Sequence, residues 1–289
     1  MNLRPRRSAL YMPAANARAI EKARDLPCDV VILDLEDAVA PDAKDAARDQ
    51  AVAAVKAGGF GGRELVIRVN GLDTPWGAAD LAAAAEAQPD AVLVPKVATP
   101  EDVAAYDAAL TGRPRLWAMI ETCPAMFRLE AIAGAARTTR LEAWVIGTND
   151  LAKEMRCRQG VERTPLIPLL AMAVAAARTQ DLVVLDGVFN AIDDADGFAR
   201  QCAQGVEFGF DGKTLIHPSQ VCPANAAFSP EADEVAWARK VADAFAEPEN
   251  SVKGVLRVEG RMVERLHLAE AHRLIAVADA IAAHEARDG

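Results

Sequence analysis

Cysteine is scarce in this sequence and forms no pattern typical of a disulfide framework or a metal site. The 289 residues include five cysteines, and none of them belongs to a C-x-x-C pair or to a cluster with histidine. Disulfide bridges and a structural zinc site are therefore not indicated. A chain of this length can bury an ordinary core without them, and unpaired thiols are typical of a reducing compartment. We therefore predict a cytoplasmic protein.

Net positive charge and long apolar runs are also missing. The formal net charge is -10 at pH 7, so the long-range field would repel the phosphates of nucleic acids and of anionic membranes. No apolar run reaches the roughly 18 residues of a membrane span, and the N-terminal stretch lacks the continuous apolar segment of a signal peptide. Nucleic acid and membrane are therefore not expected as partners.

What the sequence does contain is an alternation of short β-rich apolar runs with Ala-rich segments of helical period. Eight such runs, covered by helices, predict a (β/α)₈ TIM barrel. A doubly wound sheet is the alternative, but no G-x-G-x-x-G follows a strand. The predicted strands span residues 8–13, 30–37, 64–70, 91–97, 116–122, 143–150, 182–189 and 206–212.

The strand pattern stops after residue 220. Two helices are predicted beyond it, at 230–247 and 262–285, and they are joined by a Gly- and Pro-containing loop or short hairpin. We therefore predict a barrel domain over residues 1–225 and a C-terminal helical extension over residues 226–289.

Polar residues follow the predicted strands, at the end of the barrel where such folds place their chemistry. A single polar residue at this position is explained by a loop that reaches water. A recurring set, in contrast, converges on one mouth. The set comprises Asp34, Glu36, Asp37, Arg68, Asn70, Lys96, Glu121, Asn149, Asp150, Asp186, Asn190, Asp211 and Lys213.

Two of these acids suit a metal ion. Glu121 ends the fifth predicted strand and Asp150 the sixth, so they are separated by something like the ~5 Å spacing of adjacent strands. Two carboxylates with no neighbouring His or Cys favour magnesium, with manganese as the second choice, and water and substrate oxygens would complete the shell.

The stretch "DLED" concentrates three acids, Asp34, Glu36 and Asp37, at the end of an apolar strand. They could hold metal-bound waters or basic side chains around the metal site. Alternatively, they cap the following helix or pair with Lys44 and Arg48.

Arg68 is the cation that the strand ends single out. An arginine at the end of an apolar strand is costly unless it is paired, and its planar fork suits a carboxylate or a developing enolate oxygen. Structural pairing with Glu36 is the alternative.

After the last strand, Lys213 lies where barrel enzymes often bind phosphate, and His217 precedes Pro218 as a turn residue or a weaker catalytic candidate.

Seven motifs in order resemble the citrate lyase beta subunit-like family of the HpcH/HpaI aldolase superfamily, which includes malyl-CoA and citramalyl-CoA lyases. The resemblance runs from about residue 6 to 220 and continues more weakly to the C-terminus. The motifs are "RSALYMPAANARAIEKA", "VILDLEDAVAPDAKDAAR", "IRVNG", "LVPKV", "IETCPAM", "IGTNDLAKEM" and "FDGKTLIHPSQ".

This resemblance implies a magnesium-dependent barrel enzyme that breaks or forms a C–C bond beta to a CoA thioester. It implies Glu121 and Asp150 as metal ligands, Arg68 as a substrate-binding residue, and Glu36 and Asp37 as acids around them. Contacts to the CoA phosphates would come from basic residues, namely Arg18, Lys22, Lys44 and Arg48.

The resemblance also implies a homo-oligomer, a trimer or hexamer. In the CoA lyases of the family, the C-terminal segment of a neighbouring subunit closes the site and supplies an Asp, and this chain has Glu264 at that place. The extra methylene could shift a base by about 1 Å, enough to impair a positioned proton transfer.

The predicted function is a retro-Claisen cleavage of a carboxylated 3-hydroxyacyl-CoA, of the malyl-, citramalyl- or citryl-CoA type, to acetyl-CoA and a 2-keto acid. Three alternatives remain open. They are an aldolase acting on free hydroxy-keto acids, a citrate lyase beta chain acting on an acyl-carrier-bound thioester, and a non-catalytic CoA-ester binding module.

Overall fold

Eight parallel strands close into a barrel in this computed structural model, which describes residues 4–250 and 252–288. The predicted (β/α)₈ barrel is thereby confirmed. The first and last strands complete the ring, because Ser8 pairs with Lys213 and Leu10 with Leu215. The strands are β1 (Ser8–Pro13), β2 (Val30–Asp34), β3 (Glu64–Arg68), β4 (Ala91–Val94), β5 (Arg115–Ile120), β6 (Leu141–Ile146), β7 (Val183–Asp186) and β8 (Gly212–Leu215).

Alternation along the strands separates two apolar layers. Side chains such as Ile32, Leu93 and Trp117 fill the inside of the barrel, and the intervening residues pack outward against the helices. The helices of this unit are α1 (Ala17–Ala23), α2 (Lys44–Ala57), α3 (Gly77–Ala87), α4 (Pro100–Ala109), α5 (Cys123–Met126), α6 (Leu129–Gly134), α7 (Thr148–Met155), α8 (Ile167–Arg178), α9 (Ala195–Phe208) and α10 (Val221–Ala227).

A buried ion pair blocks the N-terminal end of the barrel. Arg6 donates to both oxygens of Glu64, at 2.6 and 2.8 Å, and its guanidinium lies 5.0 Å from the ring centroid of Trp117. Both charged side chains are almost fully buried. Open space for chemistry therefore lies at the opposite end, where the strands run out.

The eighth strand differs from its prediction. Residues 206–208 belong to α9, and the strand is Gly212–Leu215, which the prediction treated mostly as a loop. The physical reason is a helix cap: Gly209 adopts φ 85°, and its backbone N–H donates to the carbonyl oxygens of Gly205 and Val206. The β-forming aromatic residues Phe208 and Phe210 therefore flank a helix end.

The chain divides into two compact units, and the first one spans Arg6–Phe228. The second combines residues 4–5 with the chain from Ser229 onward, and it contains α11 (Ala232–Ala246), β9 (Val255–Val258), β10 (Arg261–Glu264) and α12 (Arg265–Asp288). A small core of its own includes Val241, Phe245 and Val263. The predicted helix over 262–285 starts later, because residues 261–264 pair antiparallel with β9 as a hairpin.

No helix within residues 4–250 and 252–288 combines the length and the apolar character needed to cross a membrane.

Candidate active site

A cavity of ≈ 240 Å³ lies at the C-terminal mouth of the barrel. Its lining combines the predicted acids and arginine with residues of the loops that follow β5, β6 and β7. The polar residues that line it are Tyr11, Asp34, Asp37, Arg68, Glu121, Thr148, Asn149, Asp150 and Thr214.

The acids after β2 form an acidic loop, residues 34–38, that is organised around Asp34. This carboxylate is 1% exposed and accepts the backbone N–H groups of Glu36 at 2.9 Å and Ala38 at 3.1 Å. Its two oxygens also accept from Arg68, with Nε at 2.7 Å and Nη2 at 2.6 Å. Arg68 is therefore the counter-charge that this acidic segment requires.

Arg68 contacts Asp34, Tyr11 and the rest of the acidic loop, and its Nη1 faces that loop. Its Nη1 lies 2.8 Å from Glu36 Oε2 and 3.3 Å from Asp37 Oδ2, and its guanidinium lies 4.7 Å from the ring centroid of Tyr11. Burial by itself lowers the pKa of Arg68, but Asp34, Tyr11 and Glu36 outweigh it, and the pKa is raised well above its ordinary value. Arg68 is thus a permanent cation of fixed orientation at the cavity wall.

Glu36 is a glutamate with an unusual proton affinity. Its Oε2 lies close to Arg68 Nη1, but the two atoms are not aligned for a hydrogen bond. Burial is the largest influence and, with the neighbouring acids Asp37, Glu121 and Asp34, outweighs the attraction of Arg68, so the pKa of Glu36 is raised to about 8. The short ion-pair distance alone would predict an ionised group. The attraction of Arg68 is weaker than this distance suggests, because its guanidinium is already shared with Asp34.

Glu121 and Asp150 form the carboxylate pair, and the structure brings them to one cation. Glu121 follows β5 and is 1% exposed, and Asp150 lies in the first turn of α7, directly after β6. The Lys96 Nζ lies 2.5 Å from Asp150 Oδ1 and 3.4 Å from Glu121 Oε1. Burial raises the pKa of Glu121, and Lys96 opposes that rise.

Gly147 makes room for Glu121. A Cβ atom at this glycine would lie 2.4 Å from both the Cβ and the Oε2 of Glu121, which is closer than real Cβ contacts allow. The Gly147 N–H donates to the carbonyl oxygen of Ile120 at 3.1 Å, so the backbone that follows β6 is fixed against β5. The close approach of the two strand ends is therefore built into the sequence at this position.

The carboxylate pair fits a hard divalent cation. It offers oxygen ligands only, and no group of three or more His, Cys, Asp or Glu side chains in the described part of the chain is arranged to hold a metal. Magnesium usually takes one or two protein carboxylates and completes its shell with water and substrate oxygens, and manganese accepts similar ligands. Both carboxylates already contact the ammonium group of Lys96, so they lie close enough together to share one cation.

Two of the residues expected to contact CoA phosphates are engaged inside the protein. The buried Lys44 donates to the carbonyl oxygens of Leu35 and Glu36 and to Asn70 Oδ1, at 2.7–2.8 Å. Arg48 pairs with Asp45 and Asp80. This geometry does not favour Lys44 and Arg48 as phosphate contacts, because Lys44 is committed to the acidic loop and Arg48 is already paired with two carboxylates.

Arg18 and Lys22 differ from them. Both lie on α1 and are exposed. Glu264 ends β10 in the second unit, where its backbone N–H donates to His267 Nδ1 at 2.9 Å.

Asp186 and Lys213 do not join the mouth, although the sequence grouped them with it. Val183 and Leu185 of β7 pack with the interior of the barrel, so Asp186 points outward. It forms fully buried ion pairs with Arg163 at 2.5 Å and Lys213 at 2.7 Å. Lys213 is therefore a structural residue, and the alternation along the strand could have shown it.

His217 takes the turn role that the sequence left open. Its exposed ring Nδ1 accepts from the Ser219 N–H at 3.2 Å, and this contact caps the short turn after β8.

Several cavity residues were missed by the sequence reasoning, namely Tyr11, Thr148 and Thr214, and Lys96 received no role there. Thr148 is fully buried and its Oγ1 has no hydrogen-bond partner among the described residues. The order of residues along β1 and β8 could have pointed to Tyr11 and Thr214, which lie on the inward-facing side of their strands. The position of Lys96 depends on a backbone conformation that no local pattern specifies.

Comparison with known proteins assigns the chain to a family. The family described as HpcH/HpaI aldolase/citrate lyase matches residues 7–218. A (3S)-malyl-CoA thioesterase of Cereibacter sphaeroides is 46% identical over 282 residues, 98% of each chain. An L-malyl-CoA/beta-methylmalyl-CoA lyase of the same organism is 33% identical over 309 residues, 97% of this chain and 96% of the other.

A solved structure extends the comparison to the fold. Protein CitE from Mycobacterium tuberculosis, in complex with magnesium, acetoacetate and coenzyme A, has a TM-score of 0.77 and 26% identity, and the match covers 96% of this chain and 100% of that one.

The chain therefore belongs to the HpcH/HpaI aldolase/citrate lyase family, as its motifs indicated. It is an enzyme of a carbon–carbon lyase family, so the predicted enzyme class is confirmed.

Proposed function

We propose that this protein is a magnesium-dependent lyase that cleaves a carboxylated 3-hydroxyacyl-CoA, of the malyl-CoA type, to acetyl-CoA and a 2-keto acid. One observation supports this more than any other. Glu121 and Asp150, which follow the neighbouring strands β5 and β6, share the cation Lys96, and both carboxylates line the same cavity as Arg68. Manganese could replace magnesium.

The carboxylate pair would hold the metal ion. When bound, the ion supplies Lewis-acid polarisation and a template for the carboxylate and hydroxyl oxygens of the substrate. The CitE structure contains magnesium and coenzyme A, which supports the same ligands for this chain.

Arg68 stabilises the charge that develops during cleavage. A base takes the hydroxyl proton, the C–C bond breaks, and the electron pair moves onto the thioester to give an enolate of acetyl-CoA. A cation of fixed orientation stabilises such a charge without reorganisation. The fork on Asp34 supplies that orientation, because it holds Nε and Nη2 and leaves Nη1 toward the acidic loop.

Glu36 and Asp37 complete the surroundings of Arg68. Burial raises the pKa of Glu36 to about 8, which favours its protonated form and reduces the negative charge of the loop. This leaves Arg68 less neutralised than three ionised acids would. Arg18 and Lys22 on α1 are the exposed cations that we assign to the CoA phosphates, and Glu264 of a neighbouring copy is the residue that we assign to proton transfer.

A second reaction of the same substrate is hydrolysis of the thioester. The relative at 46% identity is named (3S)-malyl-CoA thioesterase, whereas the named lyase is 33% identical. Both reactions need the metal, the carboxylate pair and Arg68 to hold the substrate. They differ in the bond that breaks: C–C in the lyase and C–S in the hydrolase.

The products decide between the two reactions. Incubation with (3S)-malyl-CoA and magnesium, with phenylhydrazine to trap keto acid in one aliquot and a thiol reagent in the other, separates them. We expect glyoxylate phenylhydrazone and acetyl-CoA in equal amounts, without free thiol. Free CoA thiol and malate without keto acid would instead assign the thioesterase reaction. Citramalyl-CoA and citryl-CoA tested in the same way define the substrate.

Site variants connect the activity to the proposed residues. We expect Glu121→Gln and Asp150→Asn each to lower kcat/KM by roughly 10²-fold or more, because each removes a charged ligand from a site that depends on electrostatic stabilisation. Glu130→Gln changes an exposed carboxylate on α6 and should leave the activity unchanged. Full activity in either site variant, or no turnover of any of the three thioesters, contradicts the proposal.

A further inference from the structure

Lys96 lies between the two residues that the proposed function assigns to the metal. It follows β4, and its Nζ contacts Asp150 Oδ1 at 2.5 Å and Glu121 Oε1 at 3.4 Å. The backbone N–H of Lys96 donates to the same Glu121 oxygen at 2.9 Å. One residue therefore binds the carboxylate pair with both its main chain and its side chain.

The backbone of Lys96 is in the left-handed region, with φ 54°. A residue with a Cβ seldom adopts this conformation, and it persists where surrounding contacts hold it in place. The contacts on Glu121 are of that kind, because the N–H and the ammonium group both meet Oε1. The position of Lys96 is thus fixed at its main chain, while its side chain is still 45% exposed and can leave.

The carboxylate pair needs a positive partner. Glu121 is almost fully buried, so its charge is poorly screened, and Asp150 brings a second negative charge next to it. Among the described residues, Lys96 is the cation within ion-pair distance of either carboxylate. The same oxygens, Glu121 Oε1 and Asp150 Oδ1, would serve a magnesium ion, which binds oxygen at about 2.0–2.1 Å.

We propose that Lys96 is a resident counter-ion of the metal site. It holds Glu121 and Asp150 together while no metal is bound, and its ammonium group is displaced from both carboxylates when the divalent cation enters. This inference rests on the proposed function for the identity of the metal ligands. Lys96 is a positioning residue, since it acts through the carboxylate pair.

Two effects of opposite direction follow from this role. The ammonium competes with the metal for the same oxygens, so its removal strengthens metal binding. It also relieves the repulsion between two carboxylates, so its removal destabilises the metal-free protein. A lysine at the cavity mouth that did not interact with the carboxylate pair would produce neither effect.

The test is Lys96→Met in the full chain, with magnesium affinity measured by titration calorimetry in the absence of substrate. We expect the Kd for magnesium to fall roughly five- to tenfold, a change typical of losing one partly screened competing charge. In a chelator, we expect the melting temperature of the variant to lie roughly 2–4 °C below that of the wild type. Saturating magnesium should remove most of that difference.

Lys153→Met is the matched control. Lys153 lies on α7, as Asp150 does, is exposed, and forms no ion pair with the carboxylate pair within the described residues. Lys153→Met removes the same charge as Lys96→Met, from the helix that carries Asp150, without removing a contact to the carboxylate pair. An equal gain of affinity in both variants would reduce the effect to net charge and overturn the inference.

Three further results separate the role of Lys96 from the metal site and from the proposed reaction. Unchanged or weaker magnesium binding in both Lys96→Met and Lys96→Gln overturns the role of Lys96 and leaves the proposed function intact. Absence of magnesium binding to the wild type, or binding unaffected by Glu121→Gln, overturns the metal site and this inference together. Failure of thioester turnover with intact metal binding concerns the proposed reaction alone. A crystal structure with magnesium should show Lys96 Nζ more than ion-pair distance from Asp150, and retention of that contact overturns the displacement.

Discussion

Glu36 touches an arginine and yet holds its proton to a higher pH than an ordinary glutamate. Burial raises the pKa of Glu36 from 4.5 to about 8 against the attraction of Arg68. The folded protein therefore binds this proton more tightly than the unfolded chain does. The stability that the proton contributes is fully present below about pH 4.5 and is lost as the pH rises through about 8.

The prediction concerns Glu36→Gln, which replaces the protonated acid with an uncharged group of similar shape. Between pH 6 and pH 9, the wild type should lose on the order of 2 kcal/mol more unfolding free energy than the variant. Urea denaturation at both pH values measures this difference. Glu130→Gln should follow the wild type, and an equal loss in wild type and Glu36→Gln would show that Glu36 is already ionised at pH 6.

The sequence predicted those site residues whose position follows from the C-terminal end of a strand. Glu121, Asp150 and Arg68 were found because parallel strands bring their C-terminal ends to one mouth, and the structure does bring them to one cavity. Asp186 was grouped with them although its side chain points outward into an ion pair with Arg163. Lys96 could not be assigned because its contacts follow from a left-handed backbone.

At the scale of elements, the end of β6 and the loop that follows it decide the geometry of the carboxylate pair. Gly147 lies between β6 and α7, and its missing side chain is where the Glu121 carboxylate packs. A methyl group there would clash with the Cβ and Oε2 atoms of Glu121 and displace the carboxylate. The proposed metal site thus depends on a residue that carries no functional group.

We predict that Gly147→Ala disrupts the site without unfolding the barrel. Displacement of Glu121 by about 1 Å should lower kcat/KM by roughly 10²-fold and weaken magnesium binding in parallel. Steady-state kinetics and calorimetry measure both. Gly134→Ala is the control, because a Cβ atom at Gly134 meets nothing within 4 Å. Wild-type magnesium affinity in Gly147→Ala would contradict this account.

The elements themselves were predictable where one pattern dominated. Apolar β-branched runs correctly predicted strands such as Val30–Asp34 and Glu64–Arg68. The predicted C-terminal ends lay two or three residues beyond the observed ones. The eighth strand was misplaced because aromatic residues near Gly209 resemble a strand locally, while the cap of α9 is set by the glycine and its packing. Hydrophobic pattern alone could not separate these two possibilities.

At the scale of the whole molecule, the second unit carries Glu264, the residue that we assign to proton transfer. Glu264 lies beyond Phe228, outside the barrel unit. We assign it to the site of a neighbouring copy, as the family resemblance implies. This assignment makes the oligomer, rather than the single chain, the catalytic entity.

Complementation tests that assignment. Glu264→Ala and Glu121→Gln should each be strongly impaired alone, and co-expression should restore activity, because mixed oligomers contain sites with both residues intact. Co-expression of Glu121→Gln with Asp150→Asn is the control, since both changes fall in one barrel and no recovery is expected. Recovery in neither pair would place Glu264 within its own chain's site or outside catalysis.

The junction between β1 and β8 joins residues 8–10 to residues 213–215. A ribosome releases the chain from its N-terminus, so the outer edge of β1 stays without its partner until nearly the whole barrel has been synthesised. An unpaired strand edge can bind other nascent chains. Until Leu215 emerges, the outer edge of β1 is therefore open to such contacts.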